Sequence, residues 1–295
     1  MKKSTRTFAS LLSLALLLGG CAQRAAVTEV PATTMVPETS YLETSGDLPA
    51  MEETVILDRD GVRITAKESA REVLGQEVLS QGFYLTVENS NDRAVSVTLG
   101  QALVNHCALP GFVQTHVPAN SQEQGYLSFL SSCLSQAGIQ QIGQADVTFN
   151  LANADALICA DAQARAINTS ALEAVDENPQ IPGTEIYNRD GLRIVAKYNE
   201  DHSIQHMDFF ASNHGERDLL LTWETVTVNG QQIGAVGQLP VPAVTHAIGQ
   251  ITLPPDTLQD LGIQDVTELM VSFHLQDPET HDDLGDTGMM KLSAE

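Results

Sequence analysis

The stretch ILDRDGVRITAK, Ile56–Lys67, returns as IYNRDGLRIVAK, Ile186–Lys197. Ile56, Arg59, Asp60, Gly61, Arg63, Ile64, Ala66 and Lys67 all recur, at an offset of 130. Further on the offset is 124: Asn89, Arg93, Thr98, Val104 and Asn105 meet Asn213, Arg217, Thr222, Val228 and Asn229. Gly138, Ile139, Val147, Phe149 and Leu151 likewise meet Gly262, Ile263, Val271, Phe273 and Leu275. The six-residue difference falls between Lys67 and Asn89 and reads as a change of loop or hairpin length. A chain that says the same thing twice over this distance carries a duplicated unit.

Within each unit the apolar period is two. Val62, Ile64 and Ala66 alternate with Arg63, Thr65 and Lys67, and Leu192, Ile194 and Ala196 do the same. That is the pattern of half-buried strands. Asp60-Gly61 and Asp190-Gly191 read as tight turns in front of them. The apolar phase slips after Leu99 and again at the matching place after Trp223, as a bulge or a change of sheet would require. A short helix follows in each unit, with Ser132 and Asp256 as N-cap candidates, Leu134 and Leu258 facing inward, and Gly138 and Gly262 at the exit.

The expected fold class is therefore all-β: two tandem immunoglobulin-like β-sandwich domains, each with one short helix, after a disordered tether. The expected boundaries are a signal peptide at 1–20, a flexible tether at 21–53, sandwich domains at 54–167 and 184–295, and a linker at 168–183. Residues 22–53 hold Pro31, Pro37 and Pro49 among Thr, Ser and Glu with no apolar period, so they read as a spacer. The cysteine pair of antibody domains is missing.

Lys2, Lys3 and Arg6 precede an apolar run, Phe8–Leu18, interrupted by Ser10 and Ser13 and too short to span a bilayer as a helix. Leu17-Leu18-Gly19-Gly20-Cys21 ends that run and resembles the lipobox of bacterial lipoproteins. The resemblance implies cleavage before Cys21, a lipid on its sulfur, and attachment to the extracytoplasmic face of the cell membrane. The tandem pattern, with its Asp60-Gly61 landmark and Gly138-Ile139 helix exit, resembles the sandwich modules of surface lipoproteins of Firmicutes. That likeness implies a fold and a place, and no reaction.

The chain has 15 Lys+Arg against 38 Asp+Glu. Without Lys2, Lys3 and Arg6 the balance is 12 against 38, or −26. Nucleic-acid binding needs a basic face, so no nucleic-acid partner is expected. The expected partners are the membrane, through the lipid on Cys21, and a protein or an envelope polymer.

No nucleophile elbow, phosphate loop or Cys-x-x-Cys motif occurs, so no catalytic residue, cofactor or metal ligand is assigned. An enzyme would have to draw on non-repeated residues between the units, such as Glu200, His202 and His206. The acidic run Asp277, Glu279, Asp282, Asp283 and Asp286 could hold calcium, or simply be a solvated loop. Cys107, Cys133 and Cys159 all fall in the first unit, and their spacing selects no disulfide. Trp223 aligns with the apolar Leu99 and reads as core. Phe210, Tyr198 and Tyr187 fall on outward phases or near turns and read as a modest aromatic patch.

Overall fold

The computed structural model describes residues 40–44, 46–201 and 204–294. The segment expected as a signal peptide, Cys21 and most of the stretch expected as a tether lie outside the described residues. The first repeat runs β1 (Tyr41–Glu43), β2 (Thr54–Arg59), β3 (Val62–Leu74), β4 (Glu77–Asn89), β5 (Val95–Val104), β6 (Cys107–Ala108), β7 (Gln114–Val117), β8 (Ser121–Leu130), α1 (Ser131–Gln136), β9 (Gln144–Ala152), β10 (Leu157–Gln163) and β11 (Ile167–Asn168). The second runs β12 (Thr184–Arg189), β13 (Leu192–Asp201), β14 (Ile204–Asn213), β15 (Leu219–Val228), β16 (Gln231–Val241), β17 (Thr245–Leu253), α2 (Pro255–Asp260), β18 (Glu268–Val271), β19 (His274–Gln276), β20 (Asp283–Asp286) and β21 (Met290–Ser293). The fold is all-β sandwich. Among the described residues no helix is long and apolar enough to cross a membrane.

The repeat begins with a two-residue hairpin. Arg59 pairs with Val62 and Arg189 with Leu192. The bridging residues take positive φ, 51° and 73° at Asp60 and Gly61, 52° and 82° at Asp190 and Gly191. Two successive left-handed residues make the turn whose twist matches the strands it joins, and Asp-Gly tolerates that conformation. The six-residue offset is hairpin length. β3 and β4 have 13 residues each, β13 and β14 have 10.

The added length of β3 receives β1, with Tyr41 opposite Val73 and Glu43 opposite Arg71. Arg71 holds Glu43 at 2.6 Å and Asp47 at 2.9 Å. Part of the stretch expected as free tether is thus stitched to the first repeat. In the stretch expected as linker, Thr169 is buried and hydrogen-bonds the Ile142 carbonyl at 2.7 Å.

Two asparagine pairs explain the rest of the shared sequence. Buried Asn89 sends its amide protons to the Arg93, Val117 and Pro118 carbonyls at 2.8–3.1 Å. Asn213, equally buried, does the same with Arg217, Val241 and Pro242 at 2.8–3.2 Å. Each ties the end of one strand to the following turn and to the corner 28 residues on. Asn105 Oδ1 accepts from the Gly143 and Gln144 amides, and Asn229 Oδ1 from those of Thr267 and Glu268. Both of these asparagines take positive φ, 47° and 48°, which suits the residue.

The helices start two residues earlier than expected. Their N-caps are Leu130 and Pro254, without a side-chain cap. Pro255 opens α2, where its missing N–H costs nothing, and Asp256 sits in the first turn, where its charge favours the helix. Leu134 and Leu258 are buried, and Gly138 and Gly262 leave the helices at φ 70° and 69°. The phase slips are bulges, between Leu99 and Ala102 against β9 and between Trp223 and Thr225 against β16.

Among the described residues the strands form three sheets. The first, β1-β3-β4-β8 with β2 on β3, belongs to the first repeat. The third, β20-β19-β15-β18-β21 with β16 on β15, belongs to the second. Between them lies one sheet shared by both, in the order β10-β9-β5-β6-β17-β14-β13-β12. The repeats join where β6 runs parallel to β17, Cys107 opposite His246 and Ala108 opposite Ala247. The first sheet covers one face of the shared sheet over Phe149 and Leu151. The third covers the opposite face over Phe209 and Ala247. Phe209 forms the second core with Trp223 and Phe273, ring centroids 5.0–5.6 Å apart.

Replacing Asn213 by Ala should lower the unfolding free energy by roughly 2 kcal/mol, since it removes several hydrogen bonds worth about 1 kcal/mol net each and strands their carbonyls. Asn89→Ala should cost a similar amount. The exposed Gln238→Ala should stay within about 0.5 kcal/mol. Urea denaturation measures all three.

Candidate functional site

β14 is buried on both faces. Phe209 and Phe210 are each 1% exposed, yet they belong to different cores. Phe210 and its neighbour Ile248 close the first repeat's core from the second repeat. Gln136 of α1 donates to the Gly249 carbonyl at 3.0 Å, across the same junction. Phe210 therefore forms no surface patch: the face that would have carried it is covered by the first repeat. Tyr187 and Tyr198 are half-buried against the second core. Trp223, 7% exposed, is core as expected.

His246 sits in this junction and is 6% exposed. Its ring stacks on Phe210 at 5.1 Å. Nε2 donates to the Glu177 carbonyl at 2.9 Å, so Nδ1 carries the lone pair, and no donor meets it. Burial holds the pKa below the ordinary imidazole value. His214, His106 and Arg193 push it the same way, while the Glu177 carbonyl opposes them.

The other candidates are dispersed. His206 Nε2 lies 3.5 Å from Asp208, which Asn199 and Gln250 also hold. His202 and the side chain of Glu200 lie outside the described residues. In the acidic run the Asp277 carboxylate accepts the Glu279 and Thr280 amides, which lower its pKa. Asp286 meets His274 Nδ1 at 2.9 Å, and Asp283 accepts the Gly285 amide. These carboxylates shape the hairpin between β19 and β20. Among the described residues no three His, Cys, Asp or Glu side chains gather as a metal-holding group. Cys107, Cys133 and Cys159 are free thiols, and burial pushes Cys107 up to about 12.

The concavity worth weighing lies where the shared sheet emerges from under the third sheet. The register puts Asp146, Leu103, Ala108 and Ala247 in one row across β9, β5, β6 and β17. Ala247 is covered by the second core, and Ala108 packs at its margin. Beyond them the same face opens into a cleft of about 630 Å³. Leu103 and Leu109 line it from the first repeat, Leu239, Pro240 and Pro242 from the second. That volume falls in the range of roughly 300–1,000 Å³ typical of ligand sites. Asp146 and Asp218 are its charged residues; Gln101 and Gln163 stand exposed at the rim. A methyl at Gly100 would come within 2.5 Å of Thr148 Oγ1, so glycine keeps that wall flat.

No family model matches the chain, and no curated protein matches it. Among solved structures it is similar to a protein of unknown function from Porphyromonas gingivalis W83, at 12% identity over 86% of this chain and 97% of that one, with a TM-score of 0.22. It is also similar to the Salmonella enterica SafA pilin in complex with the SafB chaperone, at 13% identity over 72% and 88%, with a TM-score of 0.21. The Pseudomonas aeruginosa CupB2 chaperone is a third, at 12% identity over 71% and 91%, with a TM-score of 0.19.

The junction should be acid-sensitive. An unfolded histidine titrates near about 6.5, and folded His246 titrates lower. Its contribution is therefore complete above that value and is lost as the pH falls below it, because the unfolded chain then binds the extra proton. His246→Gln, the residue at the equivalent position of the first repeat, should show a smaller loss of stability between pH 7.5 and pH 5 than the wild type, by urea denaturation at each pH.

Proposed function

We propose that the chain is a lipid-anchored, extracytoplasmic binding module without catalytic activity, which displays its junction cleft to a protein partner. The cleft carries this reading. Both repeats build its walls on a shared sheet, so it exists only in the joined pair, and its lining is mainly apolar with two carboxylates. The lipobox-like segment ending at Cys21 supports the anchoring. Because Ser40 already bonds Glu72 of the first repeat, the free spacer after Cys21 would be roughly 20 residues, with a reach on the order of 25 Å from the membrane. What the repeats share supports a scaffold: the Asp-Gly hairpins, the asparagine ties and the core.

Cys21→Ala should move the protein from the membrane fraction to the soluble one. Persistence in membranes would contradict the anchor. A photo-crosslinking residue at Gln163, on the cleft rim, should trap a defined protein adduct in intact cells. The same residue at Glu88, exposed on β4, should not. Equal yields at both positions, or no adduct at Gln163, would contradict the cleft as the binding site.

A further inference from the structure

We infer that the junction cleft takes a basic, apolar peptide segment: a short extended stretch in which a Lys or Arg stands beside aliphatic residues. This rests on the reading of the cleft as the binding site and names what would fill it. The charges of the cleft carry the argument. Its lining contains Asp146 and Asp218 and no Lys, Arg or His. Elsewhere several basic side chains sit against acidic ones: Arg71 with Glu43, Arg193 with Glu185, Lys67 with Glu53, Arg63 with Asp58. The two cleft carboxylates have neutral partners instead. Asp146 accepts the Gln144 side-chain amide at 2.7 Å, and Asp218 accepts the Ala243 backbone amide at 2.7 Å. Each contact engages one oxygen of the carboxylate. A carboxylate is an acceptor only, so the matching group is a cation with N–H bonds to give.

The floor supplies the second half of the chemistry. Leu103, Leu109, Leu239, Pro240 and Pro242 line the same cleft as the two carboxylates. Lys and Arg side chains bury their stems on such surface and keep the charge at its edge. The cleft is open to solvent, with the amides of Gln101 and Gln163 exposed at the rim. Those amides give both donors and acceptors, which a passing main chain needs and a lone amine does not. The charge of −26 on the chain without Lys2, Lys3 and Arg6 draws a basic segment in and repels an acidic one.

The test uses the soluble Cys21→Ala protein and three synthetic peptides. They are acetyl-Leu-Arg-Pro-Leu-Lys-amide, its acidic counterpart with Glu at both charged positions, and a glycine counterpart that keeps Arg and Lys but loses the aliphatic residues. Nitrogen-edited NMR follows the amides of Gly100, Gln101, Thr148 and Gln163. The first peptide should saturate shifts at these amides. The glycine peptide should bind at least tenfold more weakly, and the acidic one not at all. Asp146→Asn with Asp218→Asn should weaken the first peptide at least tenfold while the remaining spectrum stays folded. Asp282→Asn, in the acidic hairpin, should change nothing. Equal binding of the acidic peptide, shifts spread over the surface without the cleft amides, or no saturation by any peptide would overturn the inference. If the Gln163 crosslink forms and the basic peptide still fails, the cleft remains the binding site and its occupant is not basic.

Discussion

Four residues turn two repeats into one body. Cys107 and Ala108 lie beside His246 and Ala247 as parallel strands, and this contact fuses one sheet of each repeat into a single sheet. A sheet buried on one face by one repeat and on the other face by the next cannot be cut without exposing both cores. Phe210 and Ile248 make the dependence explicit, since the second repeat supplies them to the first repeat's core. The cleft follows from the same geometry. The shared sheet must pass out from under the third sheet to reach the first, and the row is left open at Leu103 and Asp146 where it does so.

The asparagine ties show why duplication is visible at so few positions. Asn89 and Asn213 each satisfy three carbonyls with two protons, and no other side chain of that size presents two amide donors and an acceptor. The sequence therefore keeps them, with the Asp-Gly turns and the alternating apolar residues, while the rest drifts. These features were legible because each is local or periodic. The hairpins, bulges, helix exits and the burial of Trp223 could all be read from spacing.

The junction was not legible in that way. Its residues are where the copies differ: Phe210 stands opposite Thr86, His246 opposite Gln122, and Ile248 opposite Gln124. One signal was present. Phe209, Phe210 and Ala211 are consecutive and apolar, which breaks the alternation and marks a strand covered on both faces. Gln122, Glu123 and Gln124 are exposed on β8, whereas His246 and Ile248 of the second repeat are buried at the positions of Gln122 and Gln124. The cleft lining draws on separate strands of both copies, so no spacing in either one could outline it.

The claim that both repeats form one cooperative body is tested most directly by native-state hydrogen exchange on the soluble Cys21→Ala protein carrying Phe210→Ala. Removing a buried phenylalanine typically costs about 3–5 kcal/mol. The account predicts that amides of β5 and β9 in the first repeat lose protection together with those of β14 and β17 in the second. Loss confined to the second repeat, with β5 and β9 protected as in the wild type, would contradict it.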